Sequence, residues 1–370
     1  MIDAPRPPLS VFAIGTRAQL IKLAPVIAEC ERRSLPAVIL MTGQHKETMQ
    51  DLLSEFQIRS LQVNAVQSAE HATVFSLFVW LPAAISGIQG CIRSLSMEHP
   101  ELRVIVHGDT LSTLASAFAA RRCGANVVHL ESGLTSGRLF NPFPEEIARR
   151  LVFRLAHVAM CPDRGSADHI RQRFGCSVVE TEGNTIVDAV SLVDLGAGRV
   201  EAASPYVVAS LHRFQNIYSR KRLRQLVAML VSVSEHYVVY FVLHPATKKR
   251  LVKYDLLERL QNAPGVKLSP RLGYGAFLRL VAGADCVLTD GGSNQEELAV
   301  LGIPTIVMRQ TTERSDGLGK NAIMEHELDE GVESYLSSGT FEILRSPGLR
   351  QEGKGPSSRV VDYLAQPAGQ

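Results

Sequence analysis

No two of the six cysteines stand close together; they fall at positions 30, 91, 123, 161, 176 and 286. That scatter supports neither a disulfide framework nor a zinc site, and it fits a reducing compartment. Charge of one sign is not in excess either, with 39 Lys and Arg against 37 Asp and Glu. Nothing in that balance calls for a nucleic-acid partner. Met1 to Pro8 has no apolar stretch of the kind a secretory leader needs, so a cytoplasmic location is expected. No repeat of short period is present. One stretch, Ala72 to Ile88 (ATVFSLFVWLPAAISGI), lacks charge over a length near that of a membrane span. Its hydroxyl residues and Pro82 weaken its hydropathy and no basic cluster flanks it, so no membrane insertion is expected. A buried helix or a subunit interface is the better reading.

What the sequence does have is length and apolar content, 370 residues with 45% hydrophobic, which suits two domains of ordinary size rather than one core. Short apolar runs alternate with Gly-, Ser-, Thr- or Asp-rich turns and helical patterns, the signature of βαβ units with parallel sheets. In the first half the strands read Ser10 to Ile14, Ala37 to Met41, Val104 to His107, Val127 to Leu130 and Val158 to Cys161. In the second half they read Tyr206 to Ala209, Tyr237 to Leu243, Val266 to Leu268, Cys286 to Thr289 and Thr305 to Met308. Each is apolar on both faces, as a helix-covered sheet requires. The expected fold is α/β, with two Rossmann-like doubly wound domains facing a cleft. Residues 1–192 form the first domain, 193–205 a linker, 206–348 the second domain, and 349–370 a polar tail that is partly disordered or packs back.

Ligands in such folds bind beyond the carboxyl ends of the strands, so the residues there carry the argument. After the first strand come Gly15, Thr16, Arg17, Gln19 and Lys22, a Gly turn opening a helix with two mobile cations. This makes a diphosphate lip, or only a tight turn with solvated cations. Three acids follow later strands: Asp109 in HGDT, Glu131 in HLESG, and Glu145 in PFPEE. Carboxylates gathered at strand ends suit proton abstraction and return at a weakly acidic carbon. The bland alternatives are that Asp109 caps the next helix and that Glu145 and Glu146 complement a helix dipole. In the second half His212 and Arg213 follow one strand and His244 the next, positions from which phosphate can be contacted. Asp290, Gly291, Gly292 and Ser293 then open a helix whose free N–H groups suit a diphosphate, with Glu296 or Glu297 placed for a ribose. Arg309 and the stretch TTER from Thr311 to Arg314 follow the next strand.

Taken together these segments closely resemble the non-hydrolysing UDP-N-acetylglucosamine 2-epimerase family, from about Ser10 to Arg314. The landmarks are GTRAQLIKLAP (15 to 25), TGQH (42 to 45), HGDT (107 to 110), HLESGL (129 to 134) and PFPEE (142 to 146). They continue with GNTIVDA (183 to 189), LHR (211 to 213), DGGSNQEE (290 to 297) and TTER (311 to 314). The resemblance implies a glycosyltransferase-B-like fold, and Asp109, Glu131 and Glu145 as the acid and base carboxylates. It implies His212 as a catalytic or phosphate-binding histidine, and Arg17, Lys22, Gln44, Glu296 and Arg314 among the substrate-binding residues. It also implies an anti elimination of UDP followed by re-addition, no nicotinamide or other cofactor, no metal, and a homodimer, with the apolar segment around Phe75 to Leu81 as its expected interface.

The departures lie around the sugar and phosphates. Ala18-Gln19 replaces the usual Pro-Glu, Thr135 the usual Arg, Asp290-Gly291-Gly292-Ser293 the usual Asp-Ser-Gly-Gly, and Arg138 a common acidic residue. Arg138 raises a uronic-acid carboxylate as a substrate feature. Gln44 and His45 persist, while Glu47 and residues 63–90 depart from members with an allosteric substrate site, so that regulation is not expected. Three rival functions remain at this stage: a glycosyltransferase of the same fold, a hydrolysing 2-epimerase, and a nucleotide-sugar sensor without turnover.

Overall fold

In a computed structural model the described residues are 7–43, 49–66, 74–135, 137, 144–196, 204–312, 314–349 and 353–367, with backbone alone for 74–79. The chain divides into two compact units, Met1–Leu192 with Gln351–Gln370, and Val193–Arg350.

The first unit holds a parallel sheet of β1 (Leu9–Ile14), β2 (Ala37–Met41), β3 (Leu61–Asn64), β4 (Leu102–His107), β5 (Asn126–Leu130), β6 (Val158–Cys161) and β7 (Ser177–Glu180). Their spatial order is β3-β2-β1-β4-β5-β6-β7. Both β1 and β4 are buried along their whole length, as strands covered by helices on both faces must be. The chain winds outward from β1 to β3 and then crosses back to lay β4 beside β1, so the sheet has its topological switch between those two strands. The sequence reading lacked β3 and β7. Both are edge strands, and β3 (LQVN) leaves Leu61 64% exposed, so neither has the two-sided apolar pattern that marks the central strands.

The second unit repeats the plan with β8 (Tyr206–Ser210), β9 (Val238–Leu243), β10 (Val266–Pro270), β11 (Cys286–Thr289), β12 (Thr305–Val307) and β13 (Ala322–Met324), in the order β10-β9-β8-β11-β12-β13. The switch here lies between β8 and β11. The third strand absent from the sequence reading, β13, is a three-residue edge strand.

Residues 74–88 of the uncharged run belong to the helix Val74–Glu98, and Trp80, Ala84, Ile88 and Ile92, spaced by four, join the core that also takes Leu111 and Ala115 of the helix Leu111–Arg122. Among the described residues no helix is long and apolar enough to cross a membrane. The polar C-terminal stretch contains the helix Pro356–Leu364, whose Val360, Val361 and Leu364 are buried. It joins the first unit, where Arg33 pairs with Asp362 at 2.6 Å and Ser357 N–H donates to Asp188 at 2.7 Å.

Candidate active site

In the first unit the β1 turn is held by a single amide. The helix Arg17–Arg32 starts with Thr16 as its cap, whose hydroxyl accepts from Gln19 N–H. Gln19 Oε1 accepts in return from the N–H groups of Gly15 (2.9 Å) and Thr16 (3.1 Å). Its Nε2 donates to the His107 carbonyl (2.9 Å), Thr110 Oγ1 (3.1 Å) and Thr113 Oγ1 (2.9 Å). One side chain therefore ties the ends of β1 and β4 together across the switch. Gly15 is needed because a Cβ there would run into Ser112 and Thr42. We expect Gln19→Glu to lower stability by about 1–2 kcal/mol near pH 7, because an ionised carboxylate in this buried spot has no proton to give the His107 carbonyl. Urea unfolding should show the deficit shrinking as the pH falls and the carboxyl regains a donor.

Lys22 is not a mobile cation at a phosphate lip. It projects from the inward face of its helix, 3% exposed, and donates to both oxygens of Glu131 at 3.1 and 3.0 Å. Arg17, the other expected lip residue, makes a two-pronged pair with Asp51 at 2.7 Å per contact. That guanidinium holds the Asp51 carboxyl below its usual range.

Glu131 follows β5 with a φ of +58°, in the left-handed region that non-glycine residues seldom occupy. That turn points its carboxylate back at Lys22, with His107 Nε2 3.2 Å from the same Oε2. Glu131 and His107 also line a small cavity with Thr181, Asn184 and Thr185, which places the GNT segment beside them.

Asp109 does not cap the next helix. Thr110 does, accepting from Thr113 N–H at 3.2 Å, and Asp109 pairs instead with Arg149. Arg149 also binds Glu146 at 3.0 Å, and the fully buried Glu146 accepts further from Arg150 (3.0 Å) and the Thr135 hydroxyl (2.6 Å). The threonine that replaces the family's arginine thus has a defined bond. Glu145, one residue earlier, has its Oε2 buried with no hydrogen-bond partner among the described residues. Of the neighbouring acids, Glu146 is committed to structure and Glu145 is not.

Sequence reasoning missed the residue that links these turns. His129, fully buried in β5, has Nε2 at 2.8 Å from the Gly108 carbonyl and Nδ1 at 3.0 Å from Ser132 Oγ. A carbonyl only accepts, so Nε2 carries the proton and Nδ1 accepts from the Ser132 hydroxyl. The ring therefore bridges the residue before Asp109 and the residue after Glu131. Burial pushes its pKa down to about 4, against smaller opposing effects of Gly108 and Glu131. The available signal was a histidine inside an otherwise apolar strand.

In the second unit Asp290, at the end of β11, is fully buried. It accepts the backbone N–H groups of His212 and Arg213 and the Asn216 amide, at 2.8 to 3.0 Å. Its carboxylate is thus committed to building the β8 turn, which departs from the direct substrate contact expected of it. His212 Nδ1 lies 3.3 Å from Asp290 Oδ1, and its ring is 5.4 Å from that of His244, which caps its own helix by accepting from Ala246 N–H. Burial lowers the His212 pKa, Asp290 opposes that, and Arg213, Arg271 and Arg309 reinforce it.

Gly291 precedes the helix Gly292–Leu301, which has no side-chain cap. A Cβ on Gly291 would stand 3.2 Å from His212 Cε1, so glycine lets the histidine ring come close. Gly292 and Ser293 are both partly exposed in the first turn. Arg314 binds the buried Glu296 at 2.7 Å, and Gln295 fastens the same loop by donating to the carbonyls of Arg314 and Asp316. Gln44, His45, Arg138 and Glu313 lie outside the described residues.

The chain has recognisable relatives among known proteins. The sequence profile for UDP-N-acetylglucosamine 2-epimerase matches residues 28–333. The UDP-N-acetylglucosamine 2-epimerase of Methanocaldococcus jannaschii is 30% identical over 346 residues, covering 88% of this chain and 91% of that one. The crystal structure of the M. jannaschii UDP-GlcNAc 2-epimerase in complex with UDP-GlcNAc and UDP superposes with a TM-score of 0.75 at 26% identity, covering 96% of this chain and 99% of that one. Phytolacca americana UGT2 shares the fold alone, with a TM-score of 0.57 at 14% identity over 98% and 94% of the two chains. By the extent of the profile match and the kinship of its sequence, the chain belongs to the UDP-N-acetylglucosamine 2-epimerase family.

Proposed function

We propose that the protein interconverts UDP-N-acetylglucosamine and UDP-N-acetylmannosamine without net hydrolysis. The observation that carries this reading is the acid set at the first switch point: Glu131 fixed between Lys22 and His107, Asp109 fixed by Arg149, and Glu145 with an uncommitted buried oxygen. A base takes the hydrogen from C2 while the C1–oxygen bond to the diphosphate breaks. The C–H electron pair becomes the C1–C2 double bond and the leaving oxygen keeps its own pair, giving UDP and a 2-acetamidoglucal. Re-addition reverses both steps, with a proton delivered to the opposite face of C2. Returning hydrogen to the other face needs at least two differently placed groups, which one carboxylate could not provide.

In the second unit the first-turn N–H groups of Gly292 and Ser293 take the diphosphate, and Arg213, His244, Glu296 and Arg314 complete the nucleotide site. Asp290 serves indirectly by keeping the proton of His212 on Nδ1, so that Nε2 is the atom presented to ligand. In the first unit Arg17, oriented by Asp51, remains the phosphate ligand of that turn, and Lys22 acts through Glu131. Cysteines that are all free favour a cytoplasmic location, and the family resemblance favours a homodimer, which sedimentation would check.

Incubation with UDP-N-acetylglucosamine in deuterated water tests the function. Proton NMR should show the manno epimer appearing with deuterium at C2 and no accumulation of free sugar. Turnover without C2 exchange would point to the glycosyltransferase reading.

A further inference from the structure

At the amino ends of β5, β6 and β7, on the side of the sheet opposite the switch-point turns, lies a pocket of about 340 Å³. Arg121, Arg154, Arg173 and His157 line it, with Phe153, Phe174 and Cys176, and no Asp or Glu is among its lining residues. Nothing in the epimerisation chemistry uses it.

The cations have a partial structural explanation, since each arginine stands in the last turn of its helix: Leu111–Arg122, Glu145–Leu155 and Arg164–Arg173. A helix C-terminus carries roughly half a negative charge, so three of them offset about half of the charge on three guanidinium groups. A net positive charge is left at the pocket, opposite in sign to the roughly −1.5 to −2 of a phosphate monoester at neutral pH.

A second observation concerns chemistry rather than charge. Val127 N–H donates to His157 Nδ1 at 2.9 Å, which makes Nδ1 the acceptor and leaves the proton of the neutral ring on Nε2. Arg121 Nη1 stands against that same Nε2. A guanidinium has only donors, so two N–H groups converge on one point. An oxygen that accepts from both, with the two donors drawn apart, resolves the conflict. The lowered pKa of His157, caused by burial and then by Arg121, agrees with a cation facing the ring without a compensating anion.

We propose that this pocket is a second ligand site, distinct from the epimerase centre, that binds a phosphate monoester group. Arg121 and His157 Nε2–H grip one oxygen, and Arg154 and Arg173 neutralise the rest. Arg154 is held over the Phe174 ring at 5.6 Å, which orients its guanidinium at the pocket. The volume admits a sugar phosphate as well as the inorganic ion.

Calorimetric titration of the full chain with inorganic phosphate and, separately, with glucose 1-phosphate, at ionic strength held constant with chloride, tests the site. Saturable binding to the wild type is expected, weakened at least tenfold in the double variant Arg121→Gln/Arg173→Gln, with a shifted His157 ring resonance in the wild type. Tighter binding of glucose 1-phosphate would make a sugar phosphate the ligand, and equal binding would make it the phosphate group alone; either supports the site. Arg154→Gln, on an exposed side chain, provides an independent variant should the double variant be unstable. Affinity unchanged in both variants, or the absence of saturable binding with either probe, overturns the proposal.

Discussion

Replacing Glu131 with glutamine should lower kcat by about a thousandfold while KM for the UDP sugar changes little. The amide keeps the size and the acceptor oxygen but can neither take nor return a proton, and removal of a positioned acid or base has an effect of this order. A complication lies in the partner. Lys22 is 3% exposed and bonded to both oxygens of Glu131, so the substitution leaves an ammonium group in the interior facing a neutral amide. Breaking one half of a buried ion pair costs about 3–5 kcal/mol, whereas replacing the whole pair with apolar groups of similar size is often neutral. The two effects separate in Glu131→Gln/Lys22→Met. That variant should recover most of the stability lost in the single substitution, measured by urea unfolding, and should remain as inactive. If activity returned with stability, Glu131 would be a structural acid and the chemistry would rest on Asp109 and Glu145.

The parts of this protein that could be read in its sequence are those whose signal is local. β1 and β4 announce themselves because strands covered on both faces are mostly apolar, with only Ser10, Arg103 and His107 breaking the pattern, and the acids that follow such strands fall at the switch point by topology alone. Edge strands such as β3 bury little and so carry no comparable pattern. Lys22 was misread because the sequence shows that a lysine follows a Gly turn but not which face of the helix it occupies. The tethers were beyond reach for a related reason. Gln19 reaches the β4 turn across about 90 residues of chain, and Arg149 reaches Asp109 across 40. Neither residue type at either position reveals that it will meet the other. The substitutions around the site become intelligible only through such contacts: Thr135 bonds Glu146, and Gln19 both caps its helix and donates to β4.

His129 is the tether whose contribution acid should expose. Its ring titrates near pH 4 when folded and near 6.5 when unfolded. Between those values the unfolded chain binds a proton that the folded one refuses, so stability falls as the pH drops through that window and levels off below it. At 1.36 kcal/mol for each unit of difference, the loss is on the order of 3 kcal/mol, an upper figure because relaxation around the ring would reduce it. His129→Gln retains one donor and one acceptor and has no such titration. Urea unfolding at a series of pH values from 7 to 4.5 should give a wild type that weakens more steeply than the variant, with the two curves converging towards acid. Parallel curves would assign the acid sensitivity to other groups. The same measurement bears on catalysis. The neutral ring holds the carbonyl of Gly108 and the hydroxyl of Ser132, so the turns carrying Asp109 and Glu131 share one hydrogen-bonded bridge. The variant, whose amide is more flexible than imidazole, should lose about tenfold in kcat at pH 7, where its fold is intact, because both acids depend on that bridge for their placement.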